Sequence, residues 1–121
     1  MAQKKKILRL DSLVAYLQTE TDGDEIFIKY NDKKIAPVDG KFFKMTKEPA
    51  TLNIEIELDE SQKWVELELW DYDRFTPNDS LGKFRLLVDQ VSENFTAELV
   101  RDRHSHGKYV LNWSLLERMS K

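Results

Sequence analysis

The feature that most constrains the fold is a pair of alternating segments joined by a short polar turn. Residues 51–58 (TLNIEIEL) and 64–70 (WVELELW) carry apolar side chains at every second position, with polar residues between most of them. A two-residue period is the pattern of a strand with one buried face. The intervening residues 59–63 (DESQK) are polar and have the length of a hairpin connection. We therefore predict an antiparallel hairpin with one apolar face.

Strand-like segments recur along the rest of the chain. Six further candidates have the length and composition of strands: residues 7–17, 25–30, 41–45, 81–88, 95–100 and 108–116. No amphipathic run of helical length lies between them, which argues against a parallel sheet with crossover helices. The pattern predicts an all-β fold, an eight-stranded antiparallel sandwich. We place this domain at residues 7–117, between a basic N-terminal tail (1–6) and a C-terminal tail (118–121).

Composition narrows the class of protein. A chain of 121 residues is long enough for one domain with its own core. It has no cysteine, which excludes disulfides and thiolate chemistry, and its net charge of −3 argues against a nucleic-acid partner. Charged residues soon follow the short apolar pair Ile7-Leu8, so we expect no signal peptide and no membrane-spanning segment. The expected location is cytoplasmic, or peripheral at a membrane.

Three carboxylates mark the segment that we call the acidic loop, residues 70–82 (WDYDRFTPNDSLG). Asp71, Asp73 and Asp79 lie within nine residues of one another. If the turn brings them together, their mutual repulsion calls for a cation, and calcium prefers a flexible set of carboxylate and carbonyl oxygens. The alternative is structural, because aspartates are common in turns where they accept hydrogen bonds from nearby backbone N–H groups. The spacing alone favours neither interpretation.

The acidic loop resembles the third calcium-binding loop of C2 domains. The match includes the three aspartates together with Arg74-Phe75 and Leu81-Gly82. The segment 23–30 (GDEIFIKY) is similar to a second motif of that family, which places Asp24 at the position of a first-loop ligand. One strand precedes the first loop and three follow the acidic loop, which resembles the type II, phospholipase-like topology. The resemblance implies a C2-type β-sandwich that binds calcium.

The first loop departs from the family pattern. Where C2 domains usually carry another aspartate, this chain has Gln18, and either Glu20 or Asp22 could replace it. The predicted calcium ligands are therefore the following aspartates: Asp24, Asp71, Asp73, Asp79 and Asp22.

The resemblance also implies a function, because calcium held in these loops typically bridges C2 domains to anionic phospholipid membranes. Arg74 and Phe75 are the predicted membrane contacts, although the Phe75 ring could instead fold back under its own loop. The alternative is a C2-like module for protein–protein contacts, in which calcium is structural or absent. We find no nucleophile–base pair, phosphate-binding glycine loop or zinc motif, so we expect no enzymatic activity.

Overall fold

The computed structural model describes residues 3–17, 24–102 and 107–120, and all regular structure in these residues is β-strand. No helix in this part of the chain could span a membrane. The ten strands are β1 (Gln3–Leu17), β2 (Glu25–Tyr30), β3 (Lys33–Ala36), β4 (Phe43–Lys44), β5 (Ala50–Leu58), β6 (Trp64–Asp71), β7 (Asp79–Leu87), β8 (Ser92–Glu98), β9 (Val100–Arg101) and β10 (Lys108–Ser120).

The strands form two antiparallel sheets, which confirms the predicted sandwich. One sheet has the order β5-β1-β10-β8, and the other has the order β3-β2-β6-β7-β9, with β4 pairing with β2. The described residues contain ten strands rather than the eight predicted. The additional strands are β3 and β9, which have four and two residues. Both lie at sheet edges and are too short to show an alternating pattern.

Segments 51–58 and 64–70 form β5 and β6, but the predicted hairpin between them is wrong, because β5 pairs with β1 and β6 pairs with β2 and β7. The turn at residues 59–63 therefore connects the two sheets, and alternation shows a buried face without showing which strand is the partner. The pair β6 and β7 supplies one wall of the core. Val65, Leu67 and Leu69 are buried on one side of β6, and Phe84 and Leu86 are buried beside them on β7. The opposite wall comes from β1 and β10, whose inward residues are almost fully buried: Leu8, Leu10, Leu13, Tyr109, Leu111, Trp113 and Leu115. Burial of apolar area at about 25 cal/mol per Å² is the main force that holds the two sheets face to face.

The pairing of β1 with β10 extends beyond the predicted limits of the domain. Its outermost pair is Gln3 with Ser120. Lys6 continues the inward face of β1, and its ammonium group donates to the backbone oxygens of Gln62 and Val88, each at 2.8 Å. Val88 follows β7 of the other sheet, and Gln62 lies in the connection between the two sheets. Residues 3–6, which the sequence suggested as a tail, are thus paired in the sheet, and Lys6 links the two layers at this end.

Candidate functional site

The acidic loop connects β6 to β7 at the end of the sandwich opposite Lys6. Asp71, the last residue of β6, pairs with Asp79, the first residue of β7, and on its other side with Ile26 of β2. Directly opposed residues of an antiparallel pair project from the same face of the sheet. Because Ile26 is fully buried, Asp71 and Asp79 also lie on the inner face. The register thus brings two of the predicted ligands to the open end of the core.

Asp24 lies on this same inner face, two residues before Ile26, and is fully buried. Its backbone carbonyl accepts a hydrogen bond of 2.8 Å from the N–H of Met45. Its carboxylate accepts a hydrogen bond from the hydroxyl of Tyr109, which lies on β10 in the other sheet. Asp24 is therefore fixed at the start of β2 and connected to both layers of the sandwich.

Asp73 lies in the exposed part of the acidic loop and stabilises its turn. Its carboxylate accepts hydrogen bonds from the backbone N–H groups of Phe75, at 2.9 Å, and Thr76, at 3.3 Å. Its own N–H donates to the Oδ1 atom of Asn78 at 2.8 Å. A hydrogen bond with the Thr76 side chain and, after it, the bond from Phe75 hold the pKa of Asp73 below its usual value. Asp73 thus has the turn-forming role expected of the structural alternative, and its carboxylate is ionised at neutral pH.

Aromatic packing on the outer face of the sheet orients the side chains at the end of β6. Trp70 stacks on Phe27 with ring centroids 6.3 Å apart, and Tyr72 stacks on Phe42 at 5.0 Å. These two residues flank Asp71 in the sequence, and side chains alternate between faces along a strand. With its neighbours held on the outer face, Asp71 is directed inward.

The apex of the acidic loop presents Arg74 and Phe75 to solvent. The Phe75 side chain is 94% exposed, so the ring does not fold back under its loop. Covering an exposed aromatic ring by a partner or an interface removes apolar area from water, which is favourable. The apex is thus a candidate contact surface.

The donor chemistry of the site suits a hard cation, because carboxylate oxygens are the ligands that calcium prefers. Within the described residues, however, no three histidine, cysteine, aspartate or glutamate side chains form a group that could hold a metal ion. Asp24 is buried, Asp71 is half-buried, and Asp73 and Asp79 are exposed. The backbone therefore places these residues at one end of the sandwich, but their side chains do not form a metal-binding cluster. The predicted ligand Asp22 lies outside the described residues, as does its alternative Glu20.

Tyr109 is a residue of this site that the sequence did not indicate. The alternating pattern placed it on the apolar face of the last strand, with Leu111 and Trp113. A buried tyrosine generally needs a partner for its hydroxyl group, and Tyr109 lies close to the loop end of its strand. That combination was the available signal, but it could not identify Asp24 as the partner.

Comparison of structures identifies the fold. The chain is similar to the C2A domain of plant extended synaptotagmin 1, with a TM-score of 0.64 and 16% sequence identity over 100% of this chain and 98% of that domain. The sequence matches no protein-family model and no curated protein. The chain therefore has the fold of a C2 domain, as its motifs suggested. Its assignment to the type II topology stays a prediction.

Proposed function

We propose that this chain is a C2-type module that binds calcium at the acidic loop and docks on anionic phospholipid membranes. The observation that carries the proposal is the register of β6, which sets Asp71 beside Asp79 and Ile26 on the inner face of the sheet. Asp24 lies on the same face, two residues before Ile26. Likeness to C2 domains supports a role in binding rather than catalysis, since that fold serves mainly as a binding module.

Asp24, Asp71, Asp73 and Asp79 would hold the cation, with Asp22 as a further ligand. The hydrogen bonds that Asp24 and Asp73 accept do not preclude this role, because a carboxylate offers about four lone-pair sites on two oxygens. The lowered pKa of Asp73 favours it, since the ligand must be ionised. A bound calcium ion would turn the local potential from negative to positive and so attract anionic headgroups.

Arg74 and Phe75 would make the membrane contact. Phe75 can transfer apolar area from water into the interface, and Arg74 can pair with lipid phosphate. A single aromatic side chain gives only weak attachment, and stable binding generally takes two signals. Attachment should therefore depend on calcium as well as on the ring.

The calcium site is tested by replacing Asp73 with asparagine. We expect the melting temperature of the wild-type protein to rise by several degrees in calcium relative to chelator, because ligand at about 100 times its Kd adds about 2.7 kcal/mol to folding stability. Asparagine can still accept the hydrogen bonds of the turn but carries no charge. Asp73→Asn should therefore keep the turn and lose most of the calcium-induced shift, as measured by thermal melting and calorimetry.

The matched control is Asp59→Asn. Asp59 lies in the β5–β6 turn, where its Oδ1 accepts a hydrogen bond of 3.4 Å from the N–H of Ser61. This turn is at the other end of the sandwich, so the control should keep the full calcium-induced shift. If millimolar calcium produced neither heat nor a shift in the wild type, the calcium site would be ruled out.

The membrane contact is tested by Phe75→Ala with vesicles of mixed phosphatidylcholine and phosphatidylserine. We expect the variant to bind calcium as the wild type does but to sediment with vesicles several-fold less, because only the inserted ring is lost. Met119→Ala is the control, since Met119 is 58% exposed and lies opposite Lys4, at the other end of β1. Equal sedimentation of the two variants would contradict a membrane role for Phe75.

A protein–protein contact module is the second candidate function. It is favoured by the lack of a closed metal group in the described residues. In this case Asp73 would serve only the turn, and the exposed Phe75 would fit a protein partner. A wild-type protein that binds neither calcium nor vesicles would support this alternative.

A further inference from the structure

We propose that Tyr109 is a positioning residue for the calcium site, whose buried hydroxyl group holds the Asp24 carboxylate in place as a ligand. This inference rests on the proposed calcium-binding function. It assigns a role to a residue of β10, which belongs to the opposite sheet from the acidic loop and which no ligand pattern in the sequence includes.

The first line of evidence is burial. Asp24 is fully buried and Tyr109 is 1% exposed, so water does not solvate the hydrogen bond between them. Placing a carboxylate in such an environment is costly unless donors satisfy its oxygens. A buried hydroxyl that donates to this group therefore restricts its rotation more strongly than an exposed donor could.

The second line of evidence is that both residues have fixed backbones. The carbonyl of Tyr109 accepts a hydrogen bond of 3.0 Å from the N–H of Leu99, and the carbonyl of Asp24 accepts one from Met45. Tyr109 is also paired with Ala15 of β1. The donor and the acceptor are thus each held by their own sheet, and the bond sets the carboxylate relative to both layers.

The third line of evidence is the chemistry of the donor, and a partly buried network around Asp11 offers a comparison. Asp11 accepts a hydrogen bond of 2.8 Å from the hydroxyl of Ser114, but it also forms an ion pair with Arg9, at 2.5 Å. The arginine compensates the charge of Asp11. A tyrosine hydroxyl is neutral and orients a carboxylate without cancelling its charge, so this bond is compatible with a role in binding a cation.

The test compares Tyr109→Phe with Ser114→Ala. Each substitution removes one buried hydroxyl group that donates to an aspartate, so each should lower the melting temperature in chelator. Loss of an outer-shell partner typically weakens metal binding about 10–100-fold. We therefore expect calorimetry to show this loss of calcium affinity for Tyr109→Phe, and an affinity equal to that of the wild type for Ser114→Ala. In the background of Asp24→Asn, Tyr109→Phe should cause no further loss.

The outcomes separate this inference from the proposed function. If the wild type binds calcium, Asp73→Asn abolishes binding and Tyr109→Phe binds like the wild type, then only the positioning role is overturned. A Tyr109→Phe protein without a cooperative transition in chelator would also overturn it, because the hydroxyl would then serve folding. A wild type that binds no calcium would overturn both.

Discussion

Substitution of Gly82 by alanine should destabilise the domain by about 2–6 kcal/mol, the sum of backbone strain and overpacking. Gly82 has a φ of 145°, a conformation that L side chains rarely adopt. An added Cβ atom would lie 2.2 Å from the carbonyl oxygen of Val100 and 2.9 Å from the Cα atom of Arg101. Both are backbone atoms of β9, which pairs with β7 at this point, so neither can move away without disrupting the sheet.

Gly40→Ala is the matched control for this prediction. Gly40 also has a positive φ, of 84°, but apart from Gly40 and its two neighbours in the chain no atom of the described residues lies within 4 Å of the position that its Cβ would take. It should therefore cost only the strain of the backbone, about 1 kcal/mol. Chemical denaturation of both variants measures the difference, and equal losses of stability would contradict the close approach of β9. The result would explain in structural terms why a glycine follows Leu81 at the end of the acidic loop.

Replacement of Phe84 by alanine is expected to destabilise the domain by about 3–5 kcal/mol, because it leaves a cavity between the sheets. Phe84 is fully buried and is among the largest such side chains in the described part of the chain. It faces Leu67 on the neighbouring strand, where rigid backbones on both sides limit collapse. For a domain of this length the loss corresponds to a fall in melting temperature of about 10–20 °C.

Lys83→Ala provides the comparison on the same strand. Lys83 is exposed on the outer face of β7, and substitutions at such positions usually change stability by no more than about 0.5 kcal/mol. The two substituted residues are neighbours in the sequence, but their side chains lie on opposite faces of the sheet. Similar melting temperatures would show that the inner face assigned to Phe84 is wrong.

Much of the fold could be predicted because strand periodicity is a local property. The alternation in residues 51–58 and 64–70 predicted β5, β6 and their inward faces, and the structure confirms both. The short edge strands β3 and β9 were not predicted, since a strand of two to four residues shows too few alternations to detect. Their pairing partners, not their own residues, make them strands.

The candidate site was also predicted only in part from the sequence. The motif identified Asp71, Asp73 and Asp79 from their spacing. It could not show that Asp73 accepts two backbone hydrogen bonds from its own loop, because an aspartate in a turn and an aspartate at a metal have the same local pattern. Nor could it show that the Phe75 ring is exposed.

The sequence by itself determined the all-β class, the alternating strands β5 and β6 and the acidic loop, because each is encoded by residues close together in the chain. It did not determine that β5 and β6 lie in different sheets rather than in one hairpin. Only the tertiary structure decided which distant residues meet. Asp24 and Tyr109 are 85 positions apart, and Lys6 reaches Val88 across 82 positions. Such contacts depend on how the sheets pair and stack, and no local pattern records them. The physical reason is that side-chain alternation fixes the face on which a residue lies, whereas strand register and sheet packing fix its neighbours.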